Sequence, residues 1–422
     1  MRYLSLACVC LAVLVGLTGW YCLAQRPAAA PAAAPVAKGL KAHEWGVFRV
    51  HNDTALANAD MRAVWAGLPL FVYGQVTARA LPRHWQNVEI VDRPVLFFHT
   101  PRAVDVELKV DFPGGTPAVW WPGTERPALH GSTLVGAAGQ RPPFRSLEWR
   151  LRLKEPPNVA RAPAMPAAAE GHWVKALRAV KADDVFAHVG ERNFGCERER
   201  FVYYDGLLPR GKWLAVTVKG ERVELRSQVD HPVFDVTVVD RRTPGKVRVA
   251  RLARLDGRAS SRALKFTEPE AKDWSAAAVR ELAGQLKAVG LHEDEAGSLA
   301  ELWKKELFET EGVTAFYRLP QSEYERLLPL TMNPRPEELV RVGLVVHPHC
   351  EPDLAERVAR LAKELDSDEF ATREAAEKRL DALGGAAVVY LKRLETGKLS
   401  AEARRRVERL IDKHDAEKAI VK

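Results

Sequence analysis

An alternation of apolar and polar residues constrains the fold of this chain more than any other feature. Between residues 42 and 266, short apolar runs rich in β-branched and aromatic residues are separated about every ten residues by Pro, Gly and Asn. In residues 105–112, for example, Val106, Leu108 and Val110 alternate with charged residues. Alternate side chains of a strand point to opposite faces, so one face is buried and the other is in water. The pattern predicts antiparallel sheets packed as a β-sandwich.

Eight segments have the composition and length of strands. They are residues 46–50, 95–99, 105–112, 146–153, 201–204, 213–218, 233–239 and 246–252.

After residue 266 the apolar period becomes helical. Ser275 can cap a helix that Gly290 ends, and a second helix is expected over residues 293–309. Residues 313–319 and 339–347 then predict strands that flank a short helix and return to the sheet. We therefore expect an α+β body over residues 39–348 and, over residues 351–422, an all-helical module of two antiparallel pairs.

The first residues predict export. Residues 4–24 are almost entirely apolar and are long enough to cross a hydrocarbon core of about 30 Å, and an Ala/Pro tract follows them. We interpret residues 1–24 as either a cleaved signal peptide or a membrane anchor, and residues 25–38 as a linker. The expected location is the periplasm or the cell surface, with the membrane contacted through the N-terminal segment.

The chain is basic, with a net charge of +8 and a pI of about 9.2. An exported chain rarely meets nucleic acid, so we expect no nucleic-acid partner. Arg248, Arg251 and Arg254 belong to the densest basic stretch, which would suit either an anionic surface ligand or a solvated strand face.

Two of the five cysteines lie outside the leader, namely Cys196 and Cys350. They are candidates for a disulfide, because exported proteins meet an oxidising environment. Alternatively, Cys196 could join His347 and His349 in a metal site, although neighbouring side chains of an extended segment point to opposite faces.

Two further motifs attract attention. The segment His43-Glu44-Trp45-Gly46 lacks the second histidine of a helical zinc motif, so we interpret it as structural. Trp120 and Trp121 precede a Pro/Gly turn and could stack on sugar rings if they are exposed. No nucleophile or phosphate-loop motif is present in the sequence, and we expect no catalytic residue and no cofactor.

Four segments of the body form a recognisable set. They are His43-Glu44-Trp45-Gly46-Val47-Phe48, Arg93-Pro94-Val95-Leu96-Phe97-Phe98, Arg200-Phe201-Val202-Tyr203-Tyr204 and residues 291–330. With these segments, much of the body resembles a family of uncharacterised exported bacterial proteins. This resemblance supports the fold and assigns no catalytic residue. Residues 365–376 and 404–408 are similar to a short HEAT-like module, which implies docking on the body or binding of a protein partner.

Together these observations favour a non-enzymatic binding or scaffold protein of the cell envelope. The alternatives are a hydrolase of envelope polymers, assisted by a metal at His347, His349 or Cys196, and a glycan-binding module that uses Trp120 and Trp121.

Overall fold

The computed structural model describes residues 34–414, except residues 54, 58, 61–66, 75–87, 127–144, 157–162, 190–194, 259, 271–272, 396 and 398. The expected leader and most of the linker lie outside the described residues. From Val36 onward the chain belongs to one compact unit. None of the helices in the described part combines the length and apolar character that a bilayer crossing requires.

The fold is mixed α+β, with 38% strand and 30% helix, so strands dominate as the alternation predicts. The strands are β1 (Val36–Arg49), β2 (Tyr73–Gly74), β3 (Val88–His99), β4 (Val104–Asp111), β5 (Thr116–Trp121), β6 (Ser146–Leu153), β7 (Val185–Val189), β8 (Gly195–Glu199), β9 (Val202–Pro209), β10 (Leu214–Lys219), β11 (Arg222–Ser227), β12 (Val233–Asp240), β13 (Arg248–Leu255), β14 (Ser261–Lys265), β15 (Val313–Arg318), β16 (Leu330–Asn333) and β17 (Arg335–His347). Each of the eight predicted strand segments overlaps one of them.

The chain also forms helices. They are α1 (Trp173–Arg178), α2 (Trp274–Ala288), α3 (Glu293–Leu302), α4 (Gln321–Leu327), α5 (Leu354–Glu364), α6 (Phe370–Leu383), α7 (Gly385–Leu391) and α8 (Ala401–His414), with a π-helical segment at Lys305–Glu309. The predicted helix over residues 293–309 is thus divided into α3 and this segment. The cap of α2 is Asp273 instead of Ser275, because the Asp273 carboxylate accepts a hydrogen bond from the Ala276 N–H at 3.3 Å.

Three sheets are formed within the described residues. A nine-stranded sheet has the order β13-β12-β15-β17-β1-β3-β9-β5-β2, a five-stranded sheet has the order β16-β4-β6-β7-β8, and β10, β11 and β14 form a third sheet. The predicted return of the chain to the sheet is confirmed, since β15 and β17 flank α4 and both lie in the large sheet.

The large sheet departs from the predicted antiparallel pattern at its centre. There β1 pairs in parallel with β17, and His43 lies opposite Val340. The neighbour of β1 on its other side is β3, which is antiparallel, and Lys41 lies opposite His99. Strand β1 also begins at Val36, so the last residues of the predicted linker are strand instead.

Side chains of β1 divide between the two faces of the large sheet. Ala42 and Phe48 enter a core that they share with residues of the other two sheets. Trp45 and Val47 enter a second core, which α2 and α3 cover. His43 has the same parity as Trp45, so it lies on the face that the helices cover.

The C-terminal residues are helical, as predicted, and enclose a third core, to which Leu56 from the segment after β1 also contributes. Charged contacts join them to the body. Arg357 and Arg379 both pair with Glu311, which lies between the π-helical segment and β15. Arg242 lies 3.6 Å from Asp353, at the start of α5.

Candidate metal centre

Four metal-ligating side chains converge where β1, β3 and α3 meet. They are His43, His99, His292 and Glu295, and their ligand atoms all lie within 4.8 Å of one another. We call this group the histidine–glutamate cluster. It was not identified from the sequence.

The sheet register positions two of the histidines. Lys41 lies opposite His99, and His43 lies two residues further along β1 on the same face. Diagonal neighbours on one face of an antiparallel pair are close enough for long side chains to meet. The centres of the two imidazole rings are accordingly 5.2 Å apart.

The start of α3 supplies the other two side chains. His292 is the N-cap residue, and Glu295, three positions later, accepts a hydrogen bond from the His292 N–H at 2.8 Å. This reciprocal arrangement is a capping box, in which the side chains of the first turn are fixed by the orphan N–H groups of the helix. It places the centre of the His292 ring 4.6 Å from the centre of the His43 ring and 4.4 Å from the centre of the His99 ring.

The carboxylate of Glu295 lies at the middle of the cluster. Its Oε2 atom is 2.8 Å from Nδ1 of His43, and its Oε1 atom is 2.8 Å from Nε2 of His99. Glu295 and His43 are fully buried, whereas 17% of the His99 side chain is exposed. The cluster is therefore open to solvent on its His99 and His292 side.

The electrostatics favour an ionised carboxylate on Glu295 and a neutral ring on His292. Burial by itself raises the pKa of Glu295, but the hydrogen bonds from His43 and His99 outweigh it and lower the pKa to about 2. Burial lowers the pKa of His292 below its usual value. A neutral imidazole and an ionised carboxylate are the forms that bind metal ions.

The spacing fits a single ion. Metal–nitrogen and metal–oxygen bonds of about 2.0–2.2 Å place two ligand atoms of one ion at most about 4.4 Å apart. The widest separation in the cluster is 4.8 Å, so an inward movement of roughly half an ångström would bring all four atoms into one coordination sphere.

The alternative metal site of His347, His349 and Cys196 is not among the groups of ligand side chains that converge in the described residues. His347 is buried in β17 opposite Ala315, and its Nε2 atom lies 3.4 Å from the hydroxyl of Tyr317. His349 follows β17 with a φ of 50°. Cys196 lies in β8, a strand of the five-stranded sheet, so it belongs to a different layer from the two histidines. Burial lowers the pKa of His347 to about 3 and that of His349 to about 4.

The disulfide expected between Cys196 and Cys350 is also absent from the described residues, where both are free thiols. Cys196 lies at the edge of the five-stranded sheet, whereas Cys350 is fixed beside the large sheet, where its N–H donates to the carbonyl of Val313 at 2.9 Å. Burial raises the pKa of both thiols.

The expectation that Trp120 and Trp121 are exposed is wrong. Both are buried, because the two faces of β5 are covered: Trp120 enters the core shared with the other sheets, and Trp121 enters the core that α2 and α3 cover. Trp121 contacts Phe71, and its ring N–H donates to Glu199 at 3.0 Å. The neighbours of the two tryptophans in the described part of the chain therefore occupy the space in which a sugar would stack.

The three arginines of the basic stretch lie on β13, an edge strand of the large sheet, and each has a carboxylate partner. The pairs are Arg248 with Asp240, Arg251 with Glu281 and Arg254 with Asp256. Such pairing favours the interpretation as a solvated strand face, because the positive charge is balanced locally.

No protein-family model and no curated protein matches this chain. Among solved structures, it is similar to the yeast delta-COP-I mu-homology domain complexed with a Dsl1 WxWxV peptide. The match has 7% sequence identity and a TM-score of 0.26, and it covers 75% of this chain and 98% of that domain. A TM-score this low carries no argument about the fold or the function.

Proposed function

We propose that this chain is a metal-binding protein whose histidine–glutamate cluster holds one divalent transition-metal ion for a hydrolytic reaction. The observation that carries the proposal is the convergence of three imidazoles and one carboxylate from two strands and a helix. Imidazole with one carboxylate suits ions such as zinc, manganese, iron, cobalt and nickel.

The way the cluster is held favours a functional ion over a structural one. Strand pairing fixes His43 and His99, and the capping box fixes His292 and Glu295, so the protein's own contacts bring the four side chains together. A structural zinc site, by contrast, contributes directly to folding and is closed by its four ligands. This site is preformed and reaches solvent through the partly exposed His99 ring.

Hydrolysis is the reaction class that such a site supports best. A bound divalent ion polarises a carbonyl or phosphoryl oxygen and lowers the pKa of a bound water to about 7. With four protein ligands, a water would occupy a fifth or sixth position, on the open side beside His99 and His292. The proposal keeps the hydrolase alternative of the sequence analysis, but the residues that hold its metal ion are now those of the histidine–glutamate cluster instead of His347, His349 and Cys196.

The experiment that tests the proposal measures the metal directly. Protein purified without chelators is assayed for metal content, and the apo form is titrated with Zn²⁺ and Mn²⁺ by calorimetry. We expect one ion per chain, and we expect His292→Asn to weaken binding at least tenfold while Asn preserves the helix cap. Metal-dependent cleavage of an activated ester, lost in the same variant, would identify the bound ion as hydrolytic.

A matched control exists in the same fold. His172 is the N-cap residue of α1, and its Nδ1 atom accepts a hydrogen bond from the Val174 N–H at 3.3 Å. His172→Asn makes the same chemical change at a second helix cap outside the cluster, and it should leave metal binding unchanged. Absence of binding by the unaltered protein, or equal affinity in both variants, would refute the metal proposal.

Two finer features of the architecture belong to this proposal. The large and five-stranded sheets share one apolar core, which supports a sandwich-like arrangement. The packing of α5 to α8 around a shared core supports a HEAT-like module, and the exposed ring of Phe370 on α6 offers a contact for a protein partner. Phe370→Ser should abolish capture of such a partner while leaving metal binding intact.

We also propose that the protein acts at the cell envelope. The support is the apolar run of residues 4–24 followed by the Ala/Pro tract. Fractionation of cells that express the full chain, with protease added outside the cytoplasmic membrane, tests this location. Protection from that protease would contradict export.

A further inference from the structure

A second carboxylate lies beside the histidine–glutamate cluster on the neighbouring strand. Glu338 of β17 lies opposite Lys41 of β1, in the same cross-strand row as His99 of β3. The next row on that face contains His43, opposite Val340. Glu338 is therefore a diagonal neighbour of His43 on the helix-covered face.

The His43 ring consequently lies between two carboxylates. Its Nδ1 atom is 2.8 Å from Glu295, and its Nε2 atom is 3.9 Å from Oε1 of Glu338. The Nε2 atom is buried and has no hydrogen-bond partner among the described residues. A buried polar atom without a partner is uncommon in folded proteins and calls for a physical explanation.

The tautomer of His43 explains this arrangement. When Nδ1–H donates to Glu295, Nε2 carries only a lone pair, which a carboxylate oxygen does not approach. Glu338 is held instead by Lys41, whose ammonium lies 2.5 Å from Oε2. The side chains of Glu338 and Lys41 are 41% and 43% exposed, so the pair is free to rearrange.

We propose that Glu338 is a positioning residue that fixes His43 when a metal ion binds; the inference rests on the proposed function. The ion takes the place of the Nδ1 proton, which leaves to solvent, and Nε2 takes up a proton, so the ring stays neutral. The Nε2–H group then donates to Glu338. Metal-bound histidines commonly donate their second N–H to a carboxylate, which orients the ring and makes it a stronger ligand.

The charges of the site agree with this role. A divalent ion with Glu295 alone leaves a net charge of +1 in a largely buried site, and the Glu338 carboxylate brings it to zero. Lys41 opposes the arrangement, because it competes for Glu338 and adds a positive charge nearby. Lys41→Met should therefore strengthen metal binding, by a few-fold.

The first test is the affinity for Zn²⁺ measured by calorimetry on the apo full-length chain. Loss of an orienting carboxylate typically weakens metal binding about 10–100-fold, which is the change expected for Glu338→Gln. Glu337→Gln is the matched control, because Glu337 is the adjacent residue of the same strand and accepts a hydrogen bond from the Gly39 N–H at 2.5 Å. The affinity of Glu337→Gln for Zn²⁺ should stay within twofold of the affinity of the unaltered protein.

The second test locates the proton on the His43 ring, because the proposed hydrogen bond to Glu338 requires an Nε2–H group. Long-range ¹H–¹⁵N spectra of histidine-labelled protein report which ring nitrogen carries the proton. His43 should change from the Nδ1–H form to the Nε2–H form when Zn²⁺ is added.

The outcomes separate the two proposals. If the unaltered protein binds no Zn²⁺, the proposed function fails. If it binds Zn²⁺ but Glu338→Gln binds equally well, the metal centre stands and the role of Glu338 is wrong. If His43 keeps its Nδ1 proton in the zinc-loaded protein, Nδ1 is not a ligand, and the role of Glu338 is wrong because Nε2 then has no proton to donate.

Discussion

Replacing Glu44 by glutamine should destabilise the protein more than most single substitutions. Glu44 follows His43 on β1 and so faces the opposite core, where it is fully buried. Its Oε2 atom accepts a hydrogen bond from the guanidinium of Arg341 at 2.5 Å, and its Oε1 atom accepts hydrogen bonds from the hydroxyls of Tyr204 and Tyr324. The Arg341 side chain is fully buried as well.

The magnitude follows from the charge that is left behind. Glutamine retains the shape and one accepting oxygen, so the change removes the negative charge and one acceptor, and its NH₂ group then faces a hydrogen-bond donor. Arg341 still donates a hydrogen bond to the carbonyl of Leu328 at 2.8 Å, and its guanidinium carbon still lies over the Tyr324 ring, 4.3 Å from the ring centre. Removing one partner of a buried ion pair costs about 3–5 kcal/mol, because the remaining charge is uncompensated.

The assay is equilibrium unfolding in urea, with Glu125→Gln as the control. Glu125 forms a more exposed pair with Arg150 at 3.0 Å, and breaking such a pair costs about 0–1 kcal/mol. The double substitution Glu44→Gln with Arg341→Met removes both charges and should recover most of the stability. A folded Glu44→Gln protein that loses less than about 1 kcal/mol would refute the reasoning.

Two other predictions concern pH and packing. Burial lowers the pKa of His347 in the folded protein to about 3. Between pH 6.5 and pH 3, His347 is therefore protonated in the unfolded chain and neutral in the folded chain. The free energy of unfolding consequently falls as the pH is lowered through this range. From pH 7 to pH 5 the fall should be about 2 kcal/mol larger in the unaltered protein than in His347→Gln, as measured by urea unfolding at both pH values. Gly206→Ala should destabilise the protein by about 1–3 kcal/mol, because the added Cβ would lie 2.2 Å from a ring carbon of Phe112 and 2.7 Å from the carbonyl oxygen of Thr116. In the control Gly195→Ala the added Cβ enters open space, so the substitution should cost less than about 0.5 kcal/mol. Equal thermal stability of the two variants would contradict this prediction.

The sheet content could be predicted from the sequence because alternation is a local property. Residues 146–153 show this well, since the predicted segment and β6 have the same bounds. The pairing of β1 with β17 could not be predicted in the same way. Its register joins His43 to Val340, and no local pattern specifies which distant strand becomes a neighbour or in which direction.

The histidine–glutamate cluster could not be predicted for the same reason. Only His292 and Glu295 are close in sequence, and their spacing of three at a helix start is a signal that places two side chains on one face. His43 was interpreted within its own motif, where a second histidine four residues later is absent. Its partners come instead from β3 and α3, and the convergence appears only when the sheet register and the helix position are known.

The central pairing of β1 with β17 also has a consequence for the order of events during biosynthesis. Strand β1 ends at residue 49, and its parallel partner begins at residue 335, so the middle of the large sheet stays open until most of the chain has been made. Contacts of such long sequence separation form late in folding. Two of the four side chains of the histidine–glutamate cluster come from the start of α3, beyond residue 290. A growing chain therefore lacks the complete cluster until residue 295 has been made, so any ion that the cluster binds is bound after that point.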